Sequence, residues 1–410
     1  MKKYIIHLCM VLSIVIASLG FGGGNVLANY GLETMQTAQQ IDVNKIYEGM
    51  LNGSGDYQDY YKFTIPSSGL VTFNINNYPG HQWDYEILDS NGNIFSEGHT
   101  NYYSNALGVT ASRVGLPKGT YYININENFN TKDKKYYFAV YFNASSTVET
   151  EFNNTSITAN TISTNTKIKG EIQYSSDYDY YKFTLPEDGV ITLNMSQKAN
   201  LAWDLTLINA DGEEYFTTTT SYSTNVTKPL QKTVGLPKGT YYLLIDDDFN
   251  SEFDPYEFSV NYHKTSTYEK EFNNNAQSAN KISTGKLYQG HMQYGSDVDY
   301  YTFSVTKPTV VELQMNRKPY MAWDVALYNS NGDELGYFTT QSGQFAKGVE
   351  IAKFNLPAGN YYISVDDDYN STNQPYSFIV KQKSSSISSK SLKVTNHVGK
   401  ADTVTIGSLI

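Results

Sequence analysis

A set of short motifs returns every 120 residues along this chain, and a period of that length corresponds to a whole domain, not to one turn of a solenoid. Trp83, Trp203 and Trp323 each precede an aspartate, Asp84, Asp204 and Asp324. Asp59-Tyr60-Tyr61, Asp179-Tyr180-Tyr181 and Asp299-Tyr300-Tyr301 keep the same step. So does the run Leu116–Tyr122, which is repeated at Leu236–Tyr242 and, with two changes, at Leu356–Tyr362. The spacing predicts three tandem modules over residues 29–147, 148–267 and 268–384. Their joints fall in the small polar stretches 143–147 and 264–267, with a serine-rich exit at Ser384–Ser389.

Inside each copy the apolar residues alternate with polar ones. Tyr181, Phe183 and Leu185 are followed by Ile191, Leu193 and Met195, then by Trp203, Leu205 and Leu207, with Lys182, Thr192 and Thr206 between them. A period of two is that of strands with one buried face. Turn signals such as Glu187-Asp188-Gly189, Ala210-Asp211-Gly212 and Pro237-Lys238-Gly239 separate the strands. No long amphipathic helix is legible. The expectation is an all-β chain of three tandem β-sandwich domains, jelly-roll-like, after a signal peptide. Each tryptophan leads an alternating apolar strand, which favours a core position over an exposed ligand platform.

The N-terminus has the layout of an export signal. Met1-Lys2-Lys3 is followed by an apolar run to Leu19, a glycine cluster, and Val26-Leu27-Ala28, so residues 1–28 are expected to be a signal peptide that is removed. Secretion follows, possible retention at the cell surface with it, and no later stretch is apolar enough to span a membrane. Cys9, the only cysteine, lies in that leader, so the mature chain can use neither disulfides nor a thiol. The net charge of −11 disfavours nucleic acid as a partner and suits cations. The 37 tyrosines exceed what a core needs and fit an aromatic contact surface.

Catalysis is not expected. His81, His99, His263, His291 and His397 never occupy equivalent positions in two copies, and no nucleophile–base order or phosphate loop repeats. Acidic clusters do repeat. Glu149-Thr150-Glu151-Phe152-Asn153-Asn154 opens the second copy and Glu269-Lys270-Glu271-Phe272-Asn273-Asn274 the third; Asp177-x-Asp179 and Asp297-x-Asp299 follow. Carboxylates and amides in loops are the oxygen donors calcium takes, whereas zinc or copper would call for cysteine or histidine. By ligand type alone, a solvated acidic linker is the simpler reading.

These motifs in this order, together with Ala159-Asn160-x-Ile162, Gly170 and their copies Ala279-Asn280-x-Ile282 and Gly290, resemble the bacterial pre-peptidase C-terminal domain, and in particular the collagen-binding domains attached to clostridial collagenases. The resemblance implies a jelly-roll-like sandwich holding calcium through Glu149, Glu151, Asn153, Asn154, Asp177 and Asp179 in module two. In module three it implies Glu269, Glu271, Asn273, Asn274, Asp297 and Asp299. Where the family has Asn-Asp, this chain has Asn-Asn, one charge fewer. In module one, Asn29, Gly31 and Glu33-Thr34 stand one period before the second cluster, so that copy is expected to lack the metal.

A second acidic run, Asp246–Asp248 and Asp366–Asp368, with Asn126-Glu127-Asn128 in module one, reads as a solvated strand end, since neighbouring strand residues face opposite ways. Residues 385–410 read as a linker and the truncated opening of a repeat resembling those of Gram-positive surface proteins. The expected function is non-catalytic binding to an extracellular matrix or cell-wall polymer, collagen-like or otherwise, with three tethered copies adding avidity. The alternatives are a structural spacer or surface-layer component, and an accessory chain or fragment of a secreted protease.

Overall fold

The computed structural model describes residues 31–383 apart from 54, 104, 175 and 227, together with the short strands Asn25–Val26, Lys390–Thr395 and Thr403–Ser408. The expected signal peptide, apart from Asn25–Val26, and the serine-rich exit lie outside the described residues.

Every regular element among the described residues is a strand. They form three pairs of facing sheets, one pair for each copy of the motif set, so the chain is three tandem β-sandwiches. In sandwich two, one sheet runs in the order Asn160–Thr161, Asp179–Leu185, Gly239–Phe249, Ala202–Asn209, Glu214–Thr219. The other runs Lys167–Glu171, Pro255–Lys264, Gly189–Met195, Leu230–Leu236. Sandwich three repeats both orders, and sandwich one does so with Asn25–Val26 added at an edge, parallel to Ile46–Leu51. The connections are non-sequential within each sheet, as jelly-roll-like topologies require.

Alternation decides what fills the space between the sheets. Along Asp179–Leu185 and Gly189–Met195 every second side chain is buried. The three tryptophans are fully buried, as their strands implied, and are therefore unavailable as ligand platforms. Trp203 packs edge-on against Tyr256, and Trp83 against Tyr136.

By compactness the chain divides into two units. The first runs to Thr184 and includes Leu193–Lys232 and Gly239–Asn261; the second takes Leu185–Thr192, Thr233–Lys238 and the chain from Tyr262. Sandwich one and the acidic cluster of sandwich two lie in the first unit, and the acidic cluster of sandwich three lies in the second. After the third sandwich, Lys390–Thr395 and Thr403–Ser408 pair as an antiparallel hairpin.

Candidate cation sites

Glu149, Thr150 and Glu151 run extended beside the edge strand Lys167–Glu171. The Glu149 N–H donates to the Lys169 carbonyl at 2.9 Å, and Val148 forms a parallel bridge with Lys169. In an extended chain residues two apart share a face, which is why Glu-x-Glu delivers both carboxylates to one place. Asp177 comes from the turn before strand Asp179–Leu185, where its Oδ2 accepts the Gln173 N–H at 2.7 Å. The Asn153 carbonyl accepts the Tyr180 N–H at 3.0 Å, tying the acidic segment to that strand.

The result is a buried cluster. Glu149, Glu151 and Asp179 each present a carboxylate oxygen within 4.8 Å of the other two, and Glu269, Glu271 and Asp299 do the same in sandwich three. Asn153 and Asp177, like Asn273 and Asp297, are also buried, while Asn154 and Asn274 are half-buried at the rim. Glu149 is the best-held member: its Oε1 accepts the Glu171 N–H and its Oε2 accepts the Tyr181 hydroxyl at 2.5 Å. Tyr256 donates to Asp179, and its hydroxyl oxygen lies 2.6 Å from that of Tyr181. In sandwich three, Tyr301 and Tyr376 repeat the arrangement around Glu269 and Asp299.

Around each site, other buried oxygens have no donor. They are Glu151 Oε1, Asn153 Oδ1, Asn154 Oδ1, Asp177 Oδ1 and Asp179 Oδ1, and in the third sandwich Glu271 Oε1 and Oε2, Asn273 Oδ1, Asn274 Oδ1, Asp297 Oδ1 and Asp299 Oδ1. A buried acceptor without a partner costs about 1–3 kcal/mol, more when charged, and five at one site and six at the other are not a pattern that packing alone would leave. The electrostatics agree. Burial, then the charges of Asp179 and Glu151, holds the Glu149 carboxyl well above the usual range; burial, then Asp179 and Asp177, does so for Glu151. Burial raises Asp177 to about 6, and burial with Asp177 beside it raises Asp179 to about 8. Asp297 and Asp299 are raised to about 6 and about 8 in the same way. Four carboxylates crowd each site, and no Lys or Arg is among the main influences on any of them.

An all-oxygen donor set of this kind fits a hard cation that accepts six to eight oxygens in irregular geometry, which is calcium's habit. Bound there, such an ion would supply the missing countercharge. Glu149, Glu151, Asn153, Asp177 and Asp179 would hold it, with Asn154 at the rim. Asn154 also donates through Nδ2 to the Tyr174 hydroxyl at 2.8 Å, and Asn274 to Tyr294 at 2.9 Å.

Two groups of residues escaped the reading of the sequence. Tyr181, Tyr256, Tyr301 and Tyr376 looked like ordinary core alternation, yet their hydroxyls buttress the site. Gly170 and Gly290 exist for them, since a Cβ there would collide with the hydroxyl ends of Tyr256 and Tyr376. In sandwich one, Asp56 and Asp59 were overlooked because Gln58 lengthens the Asp-x-Asp spacing by one. Both are buried, each with an unpartnered Oδ1, and Tyr136 donates to Asp59 as Tyr256 does to Asp179. The Tyr60 N–H donates to the Leu32 carbonyl at 2.8 Å, so Leu32 takes the place of Asn153 and Glu33 that of Asn154. The offset there is one residue longer than the 120-residue period that pointed to Gly31 and Glu33-Thr34; Asn29 lies outside the described residues.

The second acidic run sorts its side chains by strand alternation. Asp246 lies opposite Asp204 in the ladder, while Asp247 caps the following turn by accepting from Ser251. Burial, then Asp204, Asp247 and Asp248, raises Asp246 to about 6. Among the described residues, no helix is long and apolar enough to cross a membrane.

Residues 297–367 match the family described as bacterial pre-peptidase C-terminal domain. Among solved structures, the pre-peptidase C-terminal domain of a collagenase from Bacillus anthracis is 22% identical over 25% of this chain and 93% of its own length, with a TM-score of 0.21. A triple jelly roll protein of an archaeal virus turret is 10% identical over 89% of this chain and 97% of its own, with a TM-score of 0.23. The CUB1-EGF-CUB2 segment of human MASP-1/3 is 9% identical over 53% and 99%, with a TM-score of 0.18.

Proposed function

We propose, because residues 297–367 match the bacterial pre-peptidase C-terminal domain family and the same sheet orders occur three times along the chain, that it is a secreted, non-catalytic binding protein. Sandwiches two and three, each stiffened by one calcium ion, attach it to an extracellular polymer, collagen-like or of the cell wall. The observation that carries the reading is the recurrence of a buried oxygen cage with no countercharge in two consecutive copies, while no reactive side chain recurs with it. A cage of this sort orders the loops around it, because binding energy spent on the folded state alone is stability. Ordered, tandem copies are what a multivalent attachment to a repetitive ligand needs.

The test is retention of the whole chain on insoluble collagen and on purified cell-wall polymer, with calcium and with chelator. Saturable retention that weakens in chelator supports the reading. A chain that binds calcium yet is retained by neither polymer supports the second reading, a structural spacer. That reading is favoured by the extensive contact each acidic segment makes with the sandwich before it.

A further inference from the structure

The segment that carries the glutamates of each site also docks on the preceding sandwich. In the first unit, the Glu151 N–H donates to the Gly115 carbonyl at 3.0 Å. A Cβ at Gly115 would fall far inside van der Waals contact of the Glu149 carbonyl oxygen. Phe152, next in the chain, stacks on Phe95 with ring centroids 4.5 Å apart and planes 16° from parallel, and packs against the core of sandwich one. Arg113 pairs with Glu171 at 3.0 Å, and Glu171 is the residue whose N–H holds Glu149.

The second unit repeats the joint with its own residues. The Glu271 N–H donates to the Gly235 carbonyl at 3.1 Å, and Gly235 has no room for a Cβ beneath the Glu269 carbonyl. Lys270 pairs with Asp188 at 2.9 Å, and Gln293 donates to the Thr233 carbonyl at 3.0 Å. One period on, Asn355 stands where the first two copies have Gly115 and Gly235.

Glu149–Glu151 therefore form one strand of chain with two attachments: side chains inward to the cage, backbone outward to the neighbour. From this we propose that cation binding and docking on the preceding sandwich are thermodynamically coupled, each site being the clasp of its own joint. The proposal rests on the cation reading above. Ordering three residues once serves both events, so the ion tightens the joint and, by reciprocity, the joint tightens the ion.

Calcium titration of the full chain, read by calorimetry and by tyrosine-sensitised Tb3+ emission, tests it. Gly115→Val is expected to weaken one of two sites by about ten-fold, within the usual range of coupling between sites, and Gly235→Val the other. Phe152→Ala, which removes the plug without burdening the socket, should weaken the same site as Gly115→Val. Limited proteolysis should find the Val148–Asn153 segment protected by calcium in the unaltered chain and cut in chelator. Unchanged affinities in all three variants, with calcium still bound, overturn the coupling and leave the cation reading intact. No calcium binding by the unaltered chain overturns both.

Discussion

The Asn160 side chain takes both backbone polar groups of Thr150, accepting from its N–H at 2.6 Å and donating to its carbonyl at 2.9 Å. Thr150 stands between the two glutamates of the site, so this clamp sets the pitch at which their carboxylates enter the cage. Asn280 holds Lys270 in the same way at 2.6 and 3.0 Å. The Ala-Asn motif ten residues downstream is thereby a positioning device that touches no cage oxygen itself.

Asn160→Ala should accordingly weaken calcium at site two by roughly ten-fold, the loss of two hydrogen bonds of about 1 kcal/mol each being shared between stability and alignment. Site three, whose clamp is untouched, serves as the internal standard. Equal weakening of both sites in a calcium titration would refute the assignment.

Chelation should lower the melting midpoints of sandwiches two and three, and that of sandwich one only as far as its joint with the acidic segment loosens. A ligand at 100 times its Kd adds about 2.7 kcal/mol to the state that binds it, which differential scanning calorimetry resolves. Sandwich one has Leu32 in place of Asn153 and is the control. An unchanged thermogram in chelator would rule out the metal.

The pH dependence without calcium has a definite sign. Asp177 at about 6 and Asp179 at about 8, with Glu149 and Glu151 well above the usual range, are all raised in the folded state relative to unfolded values near 4. The contribution of a raised carboxyl is fully present below its unfolded pKa and is lost as pH climbs through the folded one. In chelator, the urea midpoints of sandwiches two and three should therefore fall between about pH 4 and pH 8. With calcium the decline should flatten, because the ion favours the charged forms and displaces their protons. A chelated protein that is more stable at pH 8 than at pH 5 contradicts this.

Glu151→Gln should separate stability from binding. It removes one of four mutually repelling buried carboxylates while keeping the shape, so the chelated protein at pH 8 is expected to gain about 1 kcal/mol or more. Calcium affinity at that site should drop by at least a hundred-fold. A variant that loses stability in chelator and keeps its calcium would show that Glu151 is a structural residue.

Mutating the buttress gives a fifth check. Tyr256→Phe strips Asp179 of its hydroxyl donor and Tyr181 of its partner. The cost expected from one unsatisfied buried carboxylate is about 1–3 kcal/mol, seen as a lower urea midpoint in chelator and a smaller loss in calcium. No loss in either condition would mean that the tyrosine pair carries no load.

Much of the fold was legible before any coordinates, because alternation and period are one-dimensional properties. Trp203 leads an alternating strand, and a strand has only two faces, so a core position was the favoured reading, and Trp203 is fully buried. The Glu-x-Glu and Asp-x-Asp pairs were legible as donors for the same reason. Their meeting was not, since it depends on an extended segment lying beside Lys167–Glu171 while Asp179 arrives on the other sheet. Tyr181 and Tyr256 lie 75 residues apart, and nothing in either strand says that their hydroxyls point at one carboxylate pair. Asp56 and Asp59 were hidden by a single inserted residue, Gln58, which breaks a motif without moving the side chains from their burial.

What the amino-acid order determined alone is thus the all-β class, the number of sandwiches, the buried faces and the chemistry of the donors, all of them set by local periodicity and residue type. Tertiary structure decided which oxygens share a cage, that no countercharge reaches them, and that the Glu149–Glu151 and Glu269–Glu271 segments double as joints between sandwiches. Those are outcomes of strand pairing over long separations, where the free energy of burial and of unpaired oxygens depends on neighbours that the sequence places far away.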